Sequence, residues 1–279
     1  MRYICTALKG PGDLFLRVCL LASGSKGNAV FIEAGETRLL IDVGLSARET
    51  ERRLGQIGIE ADSLDAILIT HEHLDHVRGV GPMARRFGLP LCIHPETFNA
   101  LPRPGKLDRI MEFDIGTAFT LRDLEVTPFP ITHDARAPVG FVVNTTEGKI
   151  SVATDLGIAT RLVADYLKES RVLILESNHD EQMLQDGPYP WHLKQRIKSN
   201  QGHLSNTASA ELLGGLMWDG LEAVFLAHLS EENNEPEMAY AGAAEVLARQ
   251  NICQPELIIG TQKDASFCFQ IDKIKGVCK

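Results

Sequence analysis

The run His71–His76, HEHLDH, constrains this chain more than any other feature of its sequence. It follows directly on AILIT at Ala66–Thr70, an apolar run typical of a buried strand. Three imidazoles and two carboxylates this close together would repel and desolvate one another without a counter-cation. Imidazole nitrogen and carboxylate oxygen are ligands for zinc, and they also suit iron and manganese. The run therefore predicts a metal site at a strand end, since the alternative, a polar surface turn, seldom contains three histidines.

Further candidate ligands stand at the ends of other apolar runs. One turn cannot enclose two metal ions, so a larger site needs donors from elsewhere in the chain. Three residues qualify: His133 in FPITHDA, Asp155 in SVATD and His228 in VFLAHLS. Asp42 in LLIDVG and Glu176 in VLILE have the same position relative to an apolar run. Because strand ends present side chains at an edge of the core, we expect these residues to meet there.

The organisation of the chain indicates mixed α and β structure. Short apolar runs alternate with helical patterns from end to end. No repeat, low-complexity segment or Pro/Ser-rich linker divides the chain. We therefore expect one domain over residues 15–279, preceded by an N-terminal extension at residues 1–14.

Local signals also predict where particular helices begin. Ser46 and Glu49 form a capping box, which predicts a helix from there to about Gly58. A second helix is predicted over Ala159–Glu169 from its 3.6-residue periodicity.

Composition limits the partners and the compartment. The formal charge of −9 disfavours a nucleic-acid partner, although a local basic groove is enough to bind one. The six cysteines form no CxxC pair, which argues against a disulfide framework. No apolar run has the length of a membrane span, and the start lacks the pattern of a signal peptide. We therefore expect a cytoplasmic protein with no membrane partner.

HEHLDH resembles the HxHxDH signature of the metallo-β-lactamase superfamily, and the later histidines and aspartate match its remaining ligands in order. The resemblance covers most of the chain. It implies an α/β fold, an αββα sandwich of two mixed sheets flanked by helices, with the metal site at one edge. It also implies two divalent metal ions (zinc, manganese or iron), one held by His71, His73 and His133, the other by Asp75, His76 and His228, with Asp155 bridging them.

Further segments narrow the resemblance to one group. LASGSKGN, GPYPWHLKQRI and GHLSN, with the motifs above, resemble the bacterial YycJ/WalJ group, which is nuclease-like and associated with 5′-to-3′ exonuclease action on DNA. Glu176 and His203 resemble the Glu and His near the scissile phosphate of the tRNA 3′-processing endonucleases. We therefore expect Glu176 to hold His203 and His203 to act as a general acid. The alternatives are that His203 only helps to fix its loop, or that it is a metal ligand in place of His228. Asp42 matches an acidic residue that supports the ligands from behind, and this role is favoured over the alternative of a strand-end turn former.

The chain departs from larger relatives of this group. The interval between His133 and Asp155 is too short for the tRNA-gripping arm of those endonucleases. The interval between Asp155 and His228 is too short for the inserted domain of the β-CASP nucleases. Any substrate must therefore bind to the minimal fold.

Two segments are candidate nucleic-acid contacts. The first carries an aromatic residue and three cations, Trp191, Lys194, Arg196 and Lys198, which can stack on a base and pair with phosphates. An amphipathic helix with a solvated face explains it equally well. The second is SGSKGN, in which Ser25 and Asn28 can contact a phosphate. Taken alone, that segment is more typical of an ordinary tight loop.

Four functions are compatible with the pattern. The leading hypothesis is a phosphodiesterase acting on DNA rather than RNA, in which two metals hold a hydroxide, with help from Asp75, for in-line attack on phosphorus. A thioester or lactone hydrolase of the glyoxalase II type would use the same ligands, but GHLSN and YPWHLKQRI do not resemble it. A β-lactamase is disfavoured because no export signal is present. A non-enzymatic scaffold is disfavoured by the intact ligand set. The sequence leaves the oligomeric state open.

Overall fold

Two seven-stranded mixed sheets pack face to face, with helices on both outer faces. The structure is a computed structural model that describes residues 15–272. The arrangement is the predicted αββα sandwich. The expected extension at residues 1–14 lies outside the described residues. Among those that are described, no helix is both long and apolar enough to cross a membrane.

Strands and helices occur along the whole of the described chain. The strands are β1 Phe15–Ala22, β2 Ala29–Ala34, β3 Thr37–Ile41, β4 Ala66–Leu68, β5 Leu91–Ile93, β6 Ile110–Glu112, β7 Phe119–Leu121, β8 Leu124–Pro130, β9 Val139–Thr145, β10 Gly148–Ala153, β11 Val172–Glu176, β12 Ala223–Ala227, β13 Glu256–Ile259 and β14 Phe269–Asp272. The α-helices are α1 Ala47–Gln56, α2 Leu74–Val77, α3 Val80–Phe87, α4 Pro95–Ala100, α5 Arg161–Leu167, α6 Glu181–Asp186, α7 Trp191–Ile197, α8 Asn206–Gly214 and α9 Pro236–Ala248. Runs of consecutive strands occur at β1–β3 and β6–β10.

Each sheet joins an antiparallel part to a parallel part. The first sheet has the order β14-β1-β2-β3-β4-β5-β6 and is parallel from β3 to β6. The second has the order β13-β12-β11-β10-β9-β8-β7 and is parallel from β10 to β13. The strands β11 and β12 are buried along their whole length, as expected of parallel strands covered on both faces.

Three apolar layers hold the sandwich together. The central layer lies between the sheets and includes Phe141 and Phe225, both fully buried. Replacing either with alanine would cost about 3–5 kcal/mol, because a cavity would be added to the lost transfer energy. The outer layers pack the helices onto the sheets, through residues such as Leu54 on the first and Leu213 on the second.

Local signals predicted the helix starts better than the helix ends. Ser46 caps α1 by accepting a hydrogen bond from the Glu49 backbone, but α1 ends at Gln56 rather than at about Gly58. The helix predicted over Ala159–Glu169 is shorter at both ends, because Thr160 caps it and Lys168 leaves the helical conformation. Strands of three or four residues, such as β6, β7 and β14, lack the length that periodicity needs, and they were not predicted.

The topology brings the carboxyl ends of several strands to one edge. Within the parallel parts, β3 and β4 of the first sheet run together, as do β10, β11 and β12 of the second. The strand β8 has the same direction as β10, since both are antiparallel to β9. The residues that follow these strands are those that the sequence marks as candidate ligands.

Candidate metal centre

Four overlapping groups of potential metal donors meet at this edge among the described residues, and within each group the ligand atoms lie within 4.8 Å of one another. We call His71, His73 and His133 the first group, and Asp75, His76 and His228 the second group. A third group joins His71 and His76 to Asp155, so Asp155 lies close to a donor of each of the first two. The fourth group is Asp155, Glu176, His203 and His228.

The histidines are oriented by hydrogen bonds to their outward-facing ring nitrogens. His76 Nδ1 lies 2.7 Å from Asp42 Oδ2, and His228 Nδ1 lies 2.8 Å from Glu176 Oε1. His133 Nδ1 lies 3.1 Å from the Gly202 carbonyl oxygen. In each case the outward nitrogen donates to an oxygen, which turns Nε2 towards the other donors.

The donor groups fit a divalent cation. Three buried atoms have no hydrogen-bond partner within the described part of the chain: His71 Nε2, His228 Nε2 and Asp155 Oδ2. Leaving buried polar atoms unpaired costs roughly 1–3 kcal/mol each. The orphaned Asp155 Oδ2 lies 3.1 Å from His76 Nε2 and His228 Nε2 lies 3.6 Å from Asp75 Oδ2, so these unpaired atoms face other donors. Such a convergence of nitrogen and carboxylate donors suits zinc, manganese or iron.

The backbone is left-handed at three residues of this edge. Asp42, Asp155 and His228 have φ values of 62°, 57° and 58°. Asp and His enter this region more readily than most residues, but it still costs energy relative to an extended backbone. The left-handed turn ends each strand abruptly and leaves the side chain at the edge of the sheet.

The charges of the site call for a cation. Burial, followed by the charge of His76, lowers the pKa of His71, so that its imidazole is neutral at pH 7. Burial also acts to lower the pKa of His76 and His228, but Asp155 outweighs it. The pKa of His76 is held well above its usual range, and that of His228 is raised to about 10. Without a metal ion, the protons on His76 and His228 balance the negative charge of the carboxylates. A divalent ion can take the place of these protons.

Glu176 connects His203 to the second group. Its Oε1 accepts hydrogen bonds from Nδ1 of His203 and of His228, both at 2.8 Å, and its Oε2 accepts the amides of Leu156 and Leu204. Burial alone would raise the pKa of Glu176, but the charge of His203 and these bonds hold it at about 2. Glu176 is therefore a fixed anion that presents His203 to the site with Nε2 unengaged.

A cleft of about 230 Å³ opens over the donor groups. It is lined by Asp75 and His203, and by Arg196 and Ser25 from the predicted nucleic-acid contacts. Burial would raise the pKa of Asp75, but the neighbouring imidazoles of His228 and His76 hold it well below its usual range, so that the cleft contains a stable carboxylate. Arg196 Nε donates to Asp134 Oδ2 at 2.5 Å, which fixes one cation at the wall of the cleft.

The remaining predicted contacts lie elsewhere. Lys194 and Lys198 donate to the backbone and side chain of Gln185, and Trp191 is 65% exposed. Neither the lysines nor Trp191 lines the cleft. Asn28 does not lie at the surface where a phosphate would reach it: its side chain is buried, because the amide turns inward to Asp75 and His76.

Sequence reasoning missed part of the cleft wall. Tyr189, Asn178 and Ser230 also line it. Asn178 and Ser230 lie within the motifs ESNHD and LAHLS, so their proximity to the ligands was a usable signal. Tyr189 lies within the motif GPYPWHLKQRI and precedes α7, but only the packing of that helix shows that it borders the cleft.

Comparison with known proteins defines the class. A profile described as the β-lactamase superfamily domain matches residues 37–228, from the start of β3 to the last candidate ligand. The solved structure of the metallo-β-lactamase fold protein YhfI from Bacillus subtilis has a TM-score of 0.70 and 15% identity, covering 92% of this chain and 100% of that one. The chain is a member of the β-lactamase superfamily.

Relatives with higher sequence identity show which family within the superfamily the chain belongs to. Exodeoxyribonuclease YycJ of Bacillus anthracis is 36% identical over 235 residues, covering 83% of this chain and 89% of that protein. Exodeoxyribonuclease WalJ of Streptococcus pneumoniae strain D39 is 35% identical over 245 residues, covering 86% of this chain and 91% of that protein. Within the superfamily, this chain belongs to the YycJ/WalJ family, as its motifs predicted.

Proposed function

We propose that this chain is a metal-dependent exonuclease that hydrolyses the phosphodiester bonds of DNA from the 5′ end. The observation that carries the proposal is the pair of donor groups joined by Asp155 at the floor of an open cleft. The relatives named exodeoxyribonuclease support DNA as the substrate. The free thiols of the described cysteines accord with a reducing cytoplasm, where we place the enzyme.

We assign two divalent ions, zinc, manganese or iron, to the first and second groups, with Asp155 shared between them. When bound, such ions polarise a phosphoryl oxygen and lower the pKa of a water molecule. The unpaired Nε2 atoms of His71 and His228, and the inward-facing ring nitrogens of His73, His76 and His133, would supply the ligand atoms. Asp42 and Glu176 hold those rings from behind, so that ligand geometry is set before any metal binds.

Asp75 and His203 are the proton-handling residues of the proposed reaction. Asp75 lines the cleft as an anion and accepts a hydrogen bond from the attacking water, which orients it. His203 faces the same cleft with Nδ1 bonded to Glu176, so its Nε2 is the atom that can protonate the leaving alkoxide. A general acid typically contributes about 10²–10⁴-fold to the rate.

Substrate binding is assigned to the cleft wall rather than to the whole of α7. Arg196 is held by Asp134 beside the metal groups and pairs with a phosphate of the bound strand. Ser25 lines the opposite part of the same cleft and can donate to the strand. Trp191 is exposed on α7 and is free to stack on a base beyond the cleft.

A panel of substrates tests the proposal. Chelator-stripped and metal-loaded protein would be offered single- and double-stranded DNA, RNA, bis(p-nitrophenyl) phosphate and S-lactoylglutathione. DNA carrying a label at either end would report direction, because a 5′-to-3′ exonuclease releases a 5′ label as the first product. We expect metal-dependent cleavage of DNA and of the phosphate diester. Rapid thioester hydrolysis without phosphodiesterase activity would overturn the nuclease assignment.

A further inference from the structure

The loop Ser23–Asn28, SGSKGN, contacts residues of the second group of donors and forms no hydrogen bond with the first group among the described residues. It joins β1 to β2 and has two unlike parts. Its tip, Ser25 and Lys26, is exposed, whereas Ser23 and Asn28 at its base are buried. The proposed function uses only the tip, so the buried base needs its own explanation.

The Asn28 side chain has a fixed direction. The amide of Gly24 donates to Asn28 Oδ1 at 2.9 Å, which leaves Nδ2 to face the second group. Asn28 Nδ2 lies 3.3 Å from Asp75 Oδ2 and 3.1 Å from His76 Nε2. With His76 Nε2 engaged by a metal, the amide donates to Asp75 alone, which steadies that carboxylate in its ligating position.

Ser23 acts on the other side of the same group. Its hydroxyl accepts a hydrogen bond from the backbone N–H of His228 at 2.6 Å. This N–H belongs to a residue with a left-handed backbone, so the bond helps to keep His228 in a conformation that costs energy. The loop base therefore holds two ligands that are far apart in sequence.

The backbone of the loop also packs closely against the segments that contain Gly44 and Asp75. Asn28 N–H donates to the Asp75 carbonyl oxygen and Gly44 N–H donates to the Asn28 carbonyl oxygen, both at 2.8 Å. A Cβ at Gly44 would stand 1.6 Å from the Asp75 carbonyl oxygen, and one at Gly27 would stand 2.8 Å from Leu45 Cδ2. Only glycine at these positions lets the three segments approach this closely.

We propose that Ser23 and Asn28 form a clasp that positions Asp75 and His228 and thereby sets the affinity of the second group for its metal ion. The proposal rests on the two-ion site described above. Among the described residues, no hydrogen bond joins this loop to His71, His73 or His133. The clasp therefore supports the second group alone, and its loss should weaken metal binding at the second group without weakening it at the first.

Metal titration of the full-length chain tests the clasp. Protein stripped with a chelator would be titrated with Mn²⁺, and free Mn²⁺ would be followed by electron paramagnetic resonance. Wild type should bind two ions. Asn28→Ala should bind one ion as wild type does and the other about 10- to 100-fold more weakly, because the supporting hydrogen bond is lost. Ser23→Ala should weaken the same ion.

The exposed tip supplies the matched control. Lys26→Ala alters the same loop, removes the salt bridge of the Lys26 side chain with Glu231, and should leave both affinities unchanged. Retention of the first ion in Asn28→Ala shows that the variant is folded, and circular dichroism gives a second measure. Two unchanged ions in both loop-base variants, or an equal loss of both ions, would overturn the clasp. Fewer than two ions in wild type would overturn the two-ion site itself, and the clasp with it.

Discussion

The two sheets contribute to the metal centre in different ways. The first sheet supplies four donors from a single turn after β4, within the run His71–His76. The second sheet supplies its donors one at a time, each after a different strand, as His133, Asp155 and His228 do. A contiguous motif is therefore completed by residues that only the parallel topology brings together. The second-sheet donors include Asp155, whose carboxylate lies within 4.8 Å of ligand atoms of His71 in the first group and of His76 in the second.

The largest effect expected from this comparison concerns Asp155. Asp155→Ala should weaken binding of both ions, whereas His73→Ala, in the contiguous motif, should weaken only one, because His73 belongs to a single group. Activity of Asp155→Ala should fall by more than about 10⁴-fold, beyond the usual contribution of a general acid. Metal content by mass spectrometry checks the stoichiometry. Full occupancy in Asp155→Ala would remove the bridge from the assignment.

The next effect concerns His203, which the second sheet supports through Glu176. His203→Ala should keep both ions and bind DNA, but cleave it about 10²–10⁴-fold more slowly. The loss should be smaller with bis(p-nitrophenyl) phosphate, because p-nitrophenolate leaves without a proton. Comparing kcat for the two substrates is the measurement. Loss of metal would make His203 a ligand, and equal loss on both substrates would make it a positioning residue.

A smaller effect is expected on DNA affinity, and it should differ between Arg196 and Lys198 at the end of the same helix. Arg196→Ala should raise the Kd for DNA about 10-fold and lower the slope of log affinity against log salt by about one, because one phosphate contact is lost. Lys198→Ala is the matched control, since Lys198 is bonded to Gln185 outside the cleft. Metal content should be unchanged in both. The same salt slope for the two variants would move the strand-binding surface away from the cleft wall.

The smallest expected effect concerns the free energy of unfolding and the contribution that the buried side chain of His179 makes to it. Burial lowers the pKa of His179 to about 4 from its usual value near 6.5. Because the folded-state pKa is the lower one, this residue favours folding above pH 6.5, and that contribution is lost as the pH falls from about 6.5 to 4. His179→Gln should therefore show a shallower loss of stability in this range, by up to about 3 kcal/mol.

Urea unfolding of the chelator-stripped chain at pH 7.5, 5.5 and 4.5 would measure this contribution. Wild type and His179→Gln should converge as the pH falls, and nuclease activity at pH 8 should be little changed. Parallel pH profiles for the two proteins would show that His179 is not buried in its neutral form.

Much of the site could be predicted because its signals are local. The run His71–His76 is read from spacing alone, and His133, Asp155 and His228 are marked by the apolar strands that precede them. The helix start at Ser46 follows from a capping side chain only three residues away from the amide that it binds. These patterns involve residues that are neighbours in sequence, so they can be recognised without knowledge of the fold.

Other features depend on which distant segments pack together. Asn28 looked like a surface contact, but the approach of the loop to Gly44 turns its amide inward to Asp75. Arg196 and Lys198 are two residues apart on one helix, and only packing directs the first to Asp134 at the cleft and the second to Gln185.

The sequence by itself determined the class of fold, the identity of the candidate ligands and their order along the chain. The tertiary structure alone decided that Glu176 holds His228 as well as His203, that the Asn28 amide turns inward to Asp75, and which cation borders the cleft. The physical reason is that side-chain type and spacing are set within a few residues, whereas side-chain direction is set by contacts between strands and loops tens of residues apart.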